Sequence, residues 1–506
     1  MKPNRIDRNL LRPLKILKNN LGGELFFDNT MRTIYATDAS VYREFPLAVA
    51  IPKNDNDLKQ LIAFAQHFGT SLIPRAGGTS LAGQCVGNGI VVDISKHFNK
   101  ILEVNKEEKW VRLQAGIIRD DLNIYLKPYG LFFGPNTSTS NRAMIGGMVG
   151  NNSSGSYSIV YGTTRDHVLS MKALLSDGSE VEFKDLTKSQ FRRKCIGNTL
   201  ENQIYRQLNA ELSRPDVQEN IRNSFPKPQI HRRNTGYAVD VLLESNAFNY
   251  DGEDFNFCKL LTGSEGTLAF TTEIKLNLND LPPNEKALMC VHFETIDEAL
   301  RAVPSVMKHS PRAVELMDKI VLDCTKDNIE QRQNRFFIKG DPQAILIIEI
   351  GGNTRNEIDE AAEKLHNDLK TNTLAYHFPM VYPPNVERVW KLRKAGLGLL
   401  ANMKGDAKPV TCIEDTAVTI EDLPNYIADF TEIMKKYGQR AVYYAHAGAG
   451  ELHLRPILNL KKETDRQLFY DISKDTALLV KKYGGSLSGE HGDGRVRAEF
   501  IPLMIG

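Results

Sequence analysis

The sequence predicts an α+β protein in which two lobes of alternating strands and helices are followed by a cap built on an antiparallel sheet. Strand-like and helix-like segments alternate from about residue 46 to about residue 280. The pair Pro282-Pro283 interrupts this pattern. Two strand–helix–strand segments follow, which predicts a ferredoxin-like sheet with helices on one face. A length of 506 residues agrees with two to four domains of about 150 residues each.

The first lobe is predicted over the segments that follow a basic and apolar N-terminal stretch, residues 1–45, which we expect to lie over this lobe as an extension. A strand at 47–52 leads into an amphipathic helix over Asp55–Phe68, with Leu58, Leu61 and Ile62 on one face. Strands at 71–74 and 89–94 complete the unit. Residues 46–280 then form the two-lobed domain and 281–506 the cap.

A glycine-rich loop, PRAGGTSLAG at 74–83, follows one of these strands at its carboxyl end, where ligands bind to such sheets. Gly77 and Gly78 allow backbone to approach a ligand, and successive N–H groups can form an anion-binding concavity. We interpret the loop as a pyrophosphate site. The alternative is an ordinary glycine turn, because short glycine patterns are common.

The second lobe carries two further segments of this chemistry. After a helix predicted at 119–129, residues 134–168 combine glycine, asparagine and serine, which suits a polar planar ligand; a surface loop is the alternative. A hairpin is predicted around Asp177-Gly178. At 260–278, Glu265 lies between two glycines, where it either contacts a ligand or caps a turn.

The cap is predicted from two similar halves. The first comprises a strand at 287–293, a helix at 296–308 and a strand at 313–318, and the second comprises a strand at 344–352, a helix at 357–369 and a strand at 374–378. Beyond them, His446 and His453 flank a glycine-rich turn, and Glu490 and His491 stand in another glycine loop. Single histidines are usually structural, but this set predicts a metal or acid/base site.

Composition argues against several classes of protein, namely nucleic-acid-binding, membrane-spanning and secreted proteins. The 64 Lys and Arg residues nearly balance 62 Asp and Glu residues, so the charge does not indicate a nucleic-acid partner. Apolar runs such as 344–350 are far shorter than the roughly 18 residues of a membrane span, and the N-terminus lacks the apolar core of a secretory signal. The six cysteines form no C-x-x-C pair. We therefore expect a cytoplasmic protein, with peripheral contact to the inner face of the membrane as an alternative.

Four motifs together resemble the FAD-linked oxidoreductases of the vanillyl-alcohol oxidase and p-cresol methylhydroxylase superfamily, above all the dehydrogenases of D-2-hydroxyacids such as D-2-hydroxyglutarate, D-lactate and glycolate. They are PRAGGTSLAG at 74–83, GSEGTLAF at 263–270, HAGAGELHLRP at 446–456 and SGEHGDGR at 488–495. The resemblance covers nearly the whole chain from about residue 35. It implies an FAD-binding domain of the p-cresol methylhydroxylase type and a cap of the FAD-linked oxidase type.

The resemblance assigns FAD contacts to three groups of residues. The pyrophosphate would lie on Arg75, Ala76, Gly77, Gly78, Thr79, Ser80 and Gly83, and the ring and ribityl chain on Pro135, Thr137, Ser138, Gly146, Gly147, Asn151 and Ser154. Glu265, Gly266 and Thr267 would complete the pocket. Some members tether FAD through a histidine where this chain has Thr79, which implies non-covalent FAD here.

The resemblance also assigns the chemistry. His446, His453 and Glu490 match the ligands of a divalent metal, zinc or manganese, and His491 matches a general base. The base would take the hydroxyl proton of a small 2-hydroxyacid while hydride passes from C2 to flavin N5. Arg393 and Lys408 match positions that bind substrate carboxylates, with a solvated helix face and loop as the alternative.

Two departures from the family pattern affect these expectations. Arg455 stands where D-2-hydroxyglutarate dehydrogenases carry asparagine, which adds positive charge near the metal; a structural ion pair is the alternative. The sequence ends at 501–506 before the segment that normally closes the cap, so we expect the flavin part of a longer bacterial protein with an iron–sulfur part.

Three functions stay open at this point. In the first, the dehydrogenase passes electrons to an iron–sulfur region, a quinone or a carrier protein. In the second, an oxidase passes them to oxygen. In the third, the chain is a flavin-binding subunit without turnover, which the set of histidines and Glu490 disfavours. A homodimer is compatible with all three.

Overall fold

The computed structural model describes residues 5–506, and the first four residues of the predicted N-terminal extension lie outside this range. Three sheets carry the fold. The first lobe contains helices α1 (Arg8–Asn20), α2 (Asn29–Ile34) and α3 (Asp55–Phe68) and strands β1 (Glu24–Phe26), β2 (Ala48–Ile51), β3 (Leu72–Arg75) and β4 (Ile90–Asp93).

The sheet of the first lobe has four strands in the order β1-β2-β4-β3. Strands β2, β4 and β3 are parallel, and β1 joins β2 antiparallel. Leu14, Leu17 and Leu25 are buried in the same core as the rest of the lobe. The segment expected to lie over this lobe as an extension therefore contributes an edge strand and core residues to it.

The strands of the second lobe are β5 (Ile101–Asn105), β6 (Trp110–Gln114), β7 (Leu131–Phe132), β8 (Val168–Leu174), β9 (Glu180–Phe183), β10 (Phe270–Asn277) and β11 (Asn279–Asp280). Five of them form an antiparallel sheet in the order β5-β6-β10-β8-β9, and β7 pairs with β11 in a separate two-stranded sheet. The predicted hairpin is present as β8 and β9. The helices are α4 (Arg119–Leu126), α5 (Ile145–Asn151), α6 (Ser158–Tyr161), α7 (Thr164–His167), α8 (Lys188–Lys194), α9 (Leu200–Leu212), α10 (Pro215–Ser224), α11 (Val239–Leu243) and α12 (Cys258–Leu261).

The cap is built on an antiparallel sheet of eight strands. Its strands are β12 (Glu285–Phe293), β13 (Ala313–Asp318), β14 (Ala344–Gly352), β15 (Met380–Val381), β16 (Lys408–Pro409), β17 (Thr416–Ala417), β18 (Ala441–Ala445) and β19 (Glu451–Leu458). Its helices are α13 (Ile296–Met307), α14 (Lys319–Cys324), α15 (Ile329–Arg332), α16 (Arg355–Asn372), α17 (Val386–Ala401), α18 (Leu423–Lys436), α19 (Glu463–Lys482), α20 (Gly494–Arg497) and α21 (Ile501–Ile505).

Two details of the cap differ from the sequence-based prediction. Helices α13, α16 and α18 cover one face of the sheet as expected, but α14 and α17 pack on the other face, where Val321, Val389 and Leu392 join the core. The strand predicted at 374–378 is reduced to one bridge between His292 and His377, followed by β15. Within this second layer of helices, α17 lies between the cap sheet and the two lobes.

Candidate active site

One cavity of about 570 Å³ lies where the two lobes meet the cap. Its floor consists of the glycine loop after β3, the segment around α5 and the turn at Glu265. Its roof comes from α17, β18, β19 and the loop that carries Glu490 and His491. The segments singled out in the sequence thus converge on a single space.

The glycine loop approaches the α5 segment so closely that side chains would not fit. A Cβ atom on Gly77 would lie 2.5 Å from the carbonyl oxygen of Arg142, and one on Gly147 would lie 3.3 Å from the Cβ of Ala76. Residues from Arg75 to Ser80 line the cavity. Packing against the α5 segment therefore requires glycine at position 77, and the loop formed in this way borders a cavity where its N–H groups can bind an anion.

Polar side chains connect this floor to the roof. The side-chain amides of Gln84 and Asn151 donate to the carbonyl oxygen of His491, at 2.8 and 3.1 Å. Glu265, with a φ of 57°, accepts hydrogen bonds from the N–H groups of Asp493 and Gly494. Burial raises the pKa of Glu265. Its contacts show that this residue anchors the cap loop, a role that the sequence did not indicate.

Most residues expected to contact FAD line the cavity. They are Arg75, Ala76, Gly77, Gly78, Thr79, Ser80, Thr137, Ser138, Gly146, Gly147, Asn151, Glu265 and Gly266. Gly83, Pro135, Ser154 and Thr267 do not line the cavity, and Thr267 is exposed on the surface. Gly83 packs against Tyr42 and Arg495, the Pro135 carbonyl accepts from Arg119, and Thr267 bonds to the Tyr237 hydroxyl at 2.6 Å. Ser154 donates to Glu490 of the cap at 3.3 Å instead.

Three imidazoles converge on Glu490 in the roof of the cavity. Its Oε1 lies 3.2 Å from Nε2 of His446, 3.8 Å from Nε2 of His453 and 3.6 Å from Nε2 of His491. One possible ligand atom from each of His446, Glu451, His453 and Glu490 lies within 4.8 Å of the other three. We call these residues together with His491 the cap cluster.

Residues that carry no motif hold the cap cluster in place. Glu315 on β13 accepts from Nδ1 of His446 at 2.7 Å, which directs Nε2 of that ring toward Glu490. Asp415 accepts the N–H groups of Gly489, Glu490 and His491, at 3.1, 2.8 and 2.7 Å. Arg232 reaches across from the second lobe to Glu451 and Glu490 at 2.9 and 3.1 Å. Glu315 gives a sequence signal as a charged residue within an apolar run, whereas Arg232 lies in a polar segment and gives none.

Burial and opposite charges set the protonation of these groups. Burial alone would lower the pKa of His446, but the carboxylates of Glu315 and Glu490 outweigh it and raise the pKa to about 9. Burial and the neighbouring rings of His491 and His446 lower the pKa of His453 well below its usual value. Burial raises the pKa of Glu451 to about 8. Within the cap cluster, proton affinity is thus raised at His446 and Glu451 and lowered at His453 and Glu490.

The donor set fits a divalent metal ion. Within residues 5–506, the buried atoms that have no hydrogen-bond partner include Nδ1 of His453, Oε1 of Glu451 and Oε2 of Glu414. Two imidazoles with one or two carboxylates are typical ligands of zinc and manganese. A cation held by His446, Glu451, His453 and Glu490 would give Glu451 a partner for a carboxylate that is otherwise costly to bury.

The three cationic residues expected to act on substrate differ in their position relative to the cavity. Arg393 on α17 and Arg455 on β19 line the cavity, each paired with a buried carboxylate: Arg393 with Glu315 at 2.6 Å, and Arg455 with Glu414. Lys408 does not reach the cavity wall. It stands on β16, and its ammonium group donates to the carbonyl of Met403. The assignment of Lys408 to substrate binding therefore stays a prediction, and in this structure its side chain is turned to the backbone of the preceding loop.

The cavity wall also has an aromatic part, which the sequence did not indicate. The Tyr157 hydroxyl and the Trp390 indole each donate to Glu349 at 2.9 Å, and both side chains line the cavity. Burial raises the pKa of Glu349. Because Tyr157 belongs to the second lobe and Glu349 to β14 of the cap, this contact also joins the two domains.

Comparison with known proteins identifies both domains. Residues 46–184 match the FAD binding domain family, and residues 282–506 match the C-terminal domain of FAD linked oxidases. The chain is 36% identical to a D-2-hydroxyglutarate dehydrogenase of Haemophilus influenzae, with 94% of this chain and 47% of the relative covered. The corresponding enzyme of Escherichia coli K12 is 38% identical, with 94% and 47% covered. The chain thus spans about half the length of these relatives.

Shorter relatives and solved structures agree on the fold. A glycolate oxidase subunit of Bacillus subtilis is 24% identical, with 96% of this chain and 89% of the relative covered. The structure of p-cresol methylhydroxylase superposes with a TM-score of 0.66 at 12% identity, covering 97% of this chain and 91% of that one. The prediction of a p-cresol methylhydroxylase type of FAD-binding fold is confirmed. Among the helices of residues 5–506, none combines the length and apolar character needed to cross a membrane.

Proposed function

We propose that the chain oxidises a D-2-hydroxyacid to the 2-oxoacid, a function that its matches to an FAD binding domain over residues 46–184 and to the C-terminal domain of FAD linked oxidases over residues 282–506 support. One observation carries this proposal, namely that three imidazoles and Glu490 open into the same cavity as the glycine-lined floor. The curated relatives at 36% and 38% identity are named for oxidation of such an acid. FAD bound on the floor would accept two electrons with the C2 hydrogen.

The residues of the cap cluster divide the remaining tasks. His446, His453 and Glu490 would hold a divalent metal ion, which would polarise the substrate hydroxyl and lower its pKa. His491 is the rim member of the cap cluster, with 20% of its side chain exposed, so it can reach substrate and release a proton to solvent. It would take the hydroxyl proton. Arg393 lines the cavity beside these residues and would bind the carboxylate adjacent to the reacting carbon.

The test is anaerobic flavin bleaching by the protein loaded with FAD. We expect D-2-hydroxyacids to bleach the flavin, the L-enantiomers to leave it oxidised, and a chelator to stop the reaction in a way that added zinc or manganese reverses. Bleaching that is equal for both enantiomers, or unaffected by complete metal removal, would contradict the proposal. No bleaching by any 2-hydroxyacid would favour the flavin-binding subunit without turnover.

The rate at which reduced flavin is reoxidised by different electron acceptors identifies the route by which electrons leave. We propose a dehydrogenase that passes them to a carrier or to an iron–sulfur partner region. Reduced flavin should therefore react slowly with air and rapidly with an artificial electron acceptor. Fast reoxidation by air would identify an oxidase instead.

A further inference from the structure

Glu451 is the member of the cap cluster for which the proposed function has no role. It begins β19, and its side chain lies on the same face of that strand as His453, because alternate residues of a strand point to the same side. The residue is fully buried. Its Oε2 accepts a hydrogen bond from Nη1 of Arg232 at 2.9 Å, whereas its Oε1 is a buried atom without a partner within residues 5–506. A buried acceptor of this kind is costly unless another group pairs with it.

Glu490 divides its two oxygens in a similar way. Its Oε2 lies 3.1 Å from Nη1 of Arg232 and accepts from the N–H of Gly155 at 2.8 Å. Its Oε1 is the atom on which the three imidazoles converge. Arg232 therefore supplies one positive charge to two buried carboxylates, those of Glu490 and Glu451, and leaves one oxygen of each for another partner.

The number of protein ligands decides which ion can also hold a substrate. Ligand atoms from His446, Glu451, His453 and Glu490 lie within 4.8 Å of one another, so one ion can contact all four residues. Zinc is almost always four-coordinate in proteins, and its catalytic sites use three protein ligands and keep the fourth position for water or substrate. Four protein ligands would leave zinc no such position. Manganese suits oxygen ligands and takes about six ligands, so positions would remain open on it.

We propose that Glu451 is a fourth protein ligand of the ion in the cap cluster, and that this set makes manganese, and not zinc, the ion that binds substrate. The inference rests on the proposed function, since it assumes that His446, His453 and Glu490 hold a divalent ion. If Glu451 were only the partner of Arg232, zinc would keep an open position and would bind substrate at least as well as manganese.

The test compares the positions that the protein leaves open on each ion. The protein loaded with FAD is stripped of metal, reloaded with zinc or with manganese, and titrated calorimetrically with oxalate, a small anion that binds a metal ion through two oxygens. We expect wild type to bind oxalate at least about tenfold more tightly with manganese than with zinc, or about 1.4 kcal/mol. An open site would show the reverse order, because simple ligands bind zinc more tightly than manganese. That reverse order in wild type overturns the inference.

The variant Glu451→Gln should restore the open position on zinc and reverse the order of the two oxalate affinities. Its amide oxygen can still accept from Arg232, and the side chain keeps its shape. The thermal midpoint of the metal-free variant, measured by circular dichroism, checks that it folds. The order of affinities in wild type needs no variant, so the inference can be overturned even if Glu451→Gln does not fold.

The loss of a ligand must also be separated from the loss of a nearby negative charge. Glu315→Gln is the matched control, because it removes an equally buried charge that contacts Nδ1 of His446 and does not belong to the four possible ligands. It should weaken the binding of both ions and keep the preference of oxalate for the manganese form. A reversal in Glu315→Gln like that in Glu451→Gln would show that charge alone sets the preference, and it would overturn the inference.

Flavin bleaching separates this inference from the proposed function. If no 2-hydroxyacid bleaches the flavin of either metal form under anaerobic conditions, the proposed function is wrong, whereas the oxalate titrations still decide the role of Glu451. If D-2-hydroxyacids bleach it, the manganese form should be reduced faster than the zinc form at the same low substrate concentration. A zinc form that reacts as fast as the manganese form would support the proposed function and overturn the selection of manganese.

Discussion

The floor and the roof of the cavity differ in the atoms that they present. The floor offers backbone N–H groups and small side chains from continuous stretches of chain, such as Arg75 to Ser80. The roof offers imidazoles and carboxylates from the end of β18, from β19 and from the loop at Glu490, with Glu315 of β13 behind them, and these groups meet only after the cap has folded. A floor of backbone depends on the absence of side chains, whereas the roof depends on second partners that hold each side chain. Substitutions that alter one region and leave the other intact test this distinction.

The largest expected effect is on chemistry in the roof. His491→Ala should slow anaerobic flavin reduction by roughly 10²- to 10⁴-fold, the usual contribution of a general base, and should leave FAD bound because the floor is intact. Stopped-flow absorbance measures the rate, and the flavin spectrum measures FAD content. His67→Ala on the exposed face of α3 is the matched control. Bleaching of the His491→Ala flavin at the wild-type rate would show that another group takes the proton.

The next largest effect is expected from a substitution that alters the floor of the cavity and leaves the roof intact. Gly77→Ala places a Cβ 2.5 Å from the Arg142 carbonyl oxygen, so the loop must move away from the α5 segment. Overpacking of this kind costs about 1–3 kcal/mol, and we expect FAD affinity to fall by up to about a hundredfold. Gly398→Ala is the control, because a Cβ there would meet nothing within 4 Å. Fluorescence titration with FAD measures both variants.

The two variants together sharpen the comparison. Zinc affinity of the cap cluster should be unchanged in Gly77→Ala, because no residue of the cap cluster belongs to the glycine loop. Equal FAD affinity in Gly77→Ala and wild type would mean that the cofactor does not lie on this loop.

The contrast between floor and roof also explains what the sequence could reveal. The glycine loop, the α5 segment and the hairpin at Asp177-Gly178 are local, so their composition predicts them directly. His446 and Glu490 were found from glycine-flanked motifs, although 44 positions separate them in the chain. Arg232 and Glu315 bear no motif, since their importance comes from packing against residues that are remote in sequence. The orientation of Lys408 could not be predicted for the same reason, because it depends on a contact with the Met403 loop.

A third prediction concerns Glu315, the carboxylate that supports the side chains of the roof. Glu315→Gln keeps the shape of the side chain but removes the charge that orients His446 and Arg393. Loss of such a supporting carboxylate typically lowers metal affinity by about 10- to 100-fold. Competition with a chelator of known zinc affinity measures the change. Glu349→Gln is the control, because this equally buried acid contacts Tyr157 and Trp390 and should leave zinc affinity unchanged.

The smallest expected effect concerns a buried acid of the cap sheet. Asp318 caps α14 and accepts the N–H of Tyr443, and burial raises its pKa to about 7. Because the folded protein binds this proton more tightly than the unfolded chain, the contribution of Asp318 to stability is full below the unfolded pKa and is lost as pH rises toward 7. Stability should fall by about 1 kcal/mol from about pH 6 to about pH 7 on account of Asp318.

Asp318→Asn should remove this part of the pH dependence while lowering stability at both values, since an amide cannot accept both backbone hydrogen bonds. Thermal midpoints measured by circular dichroism at each pH give the change for wild type and variant, and their difference cancels the other titrating groups. Asp341→Asn, an exposed acid paired with Lys319, is the control and should follow wild type. A variant with the same slope as wild type would mean that Asp318 stays ionised in the folded cap, so that its two backbone donors outweigh the cost of burial.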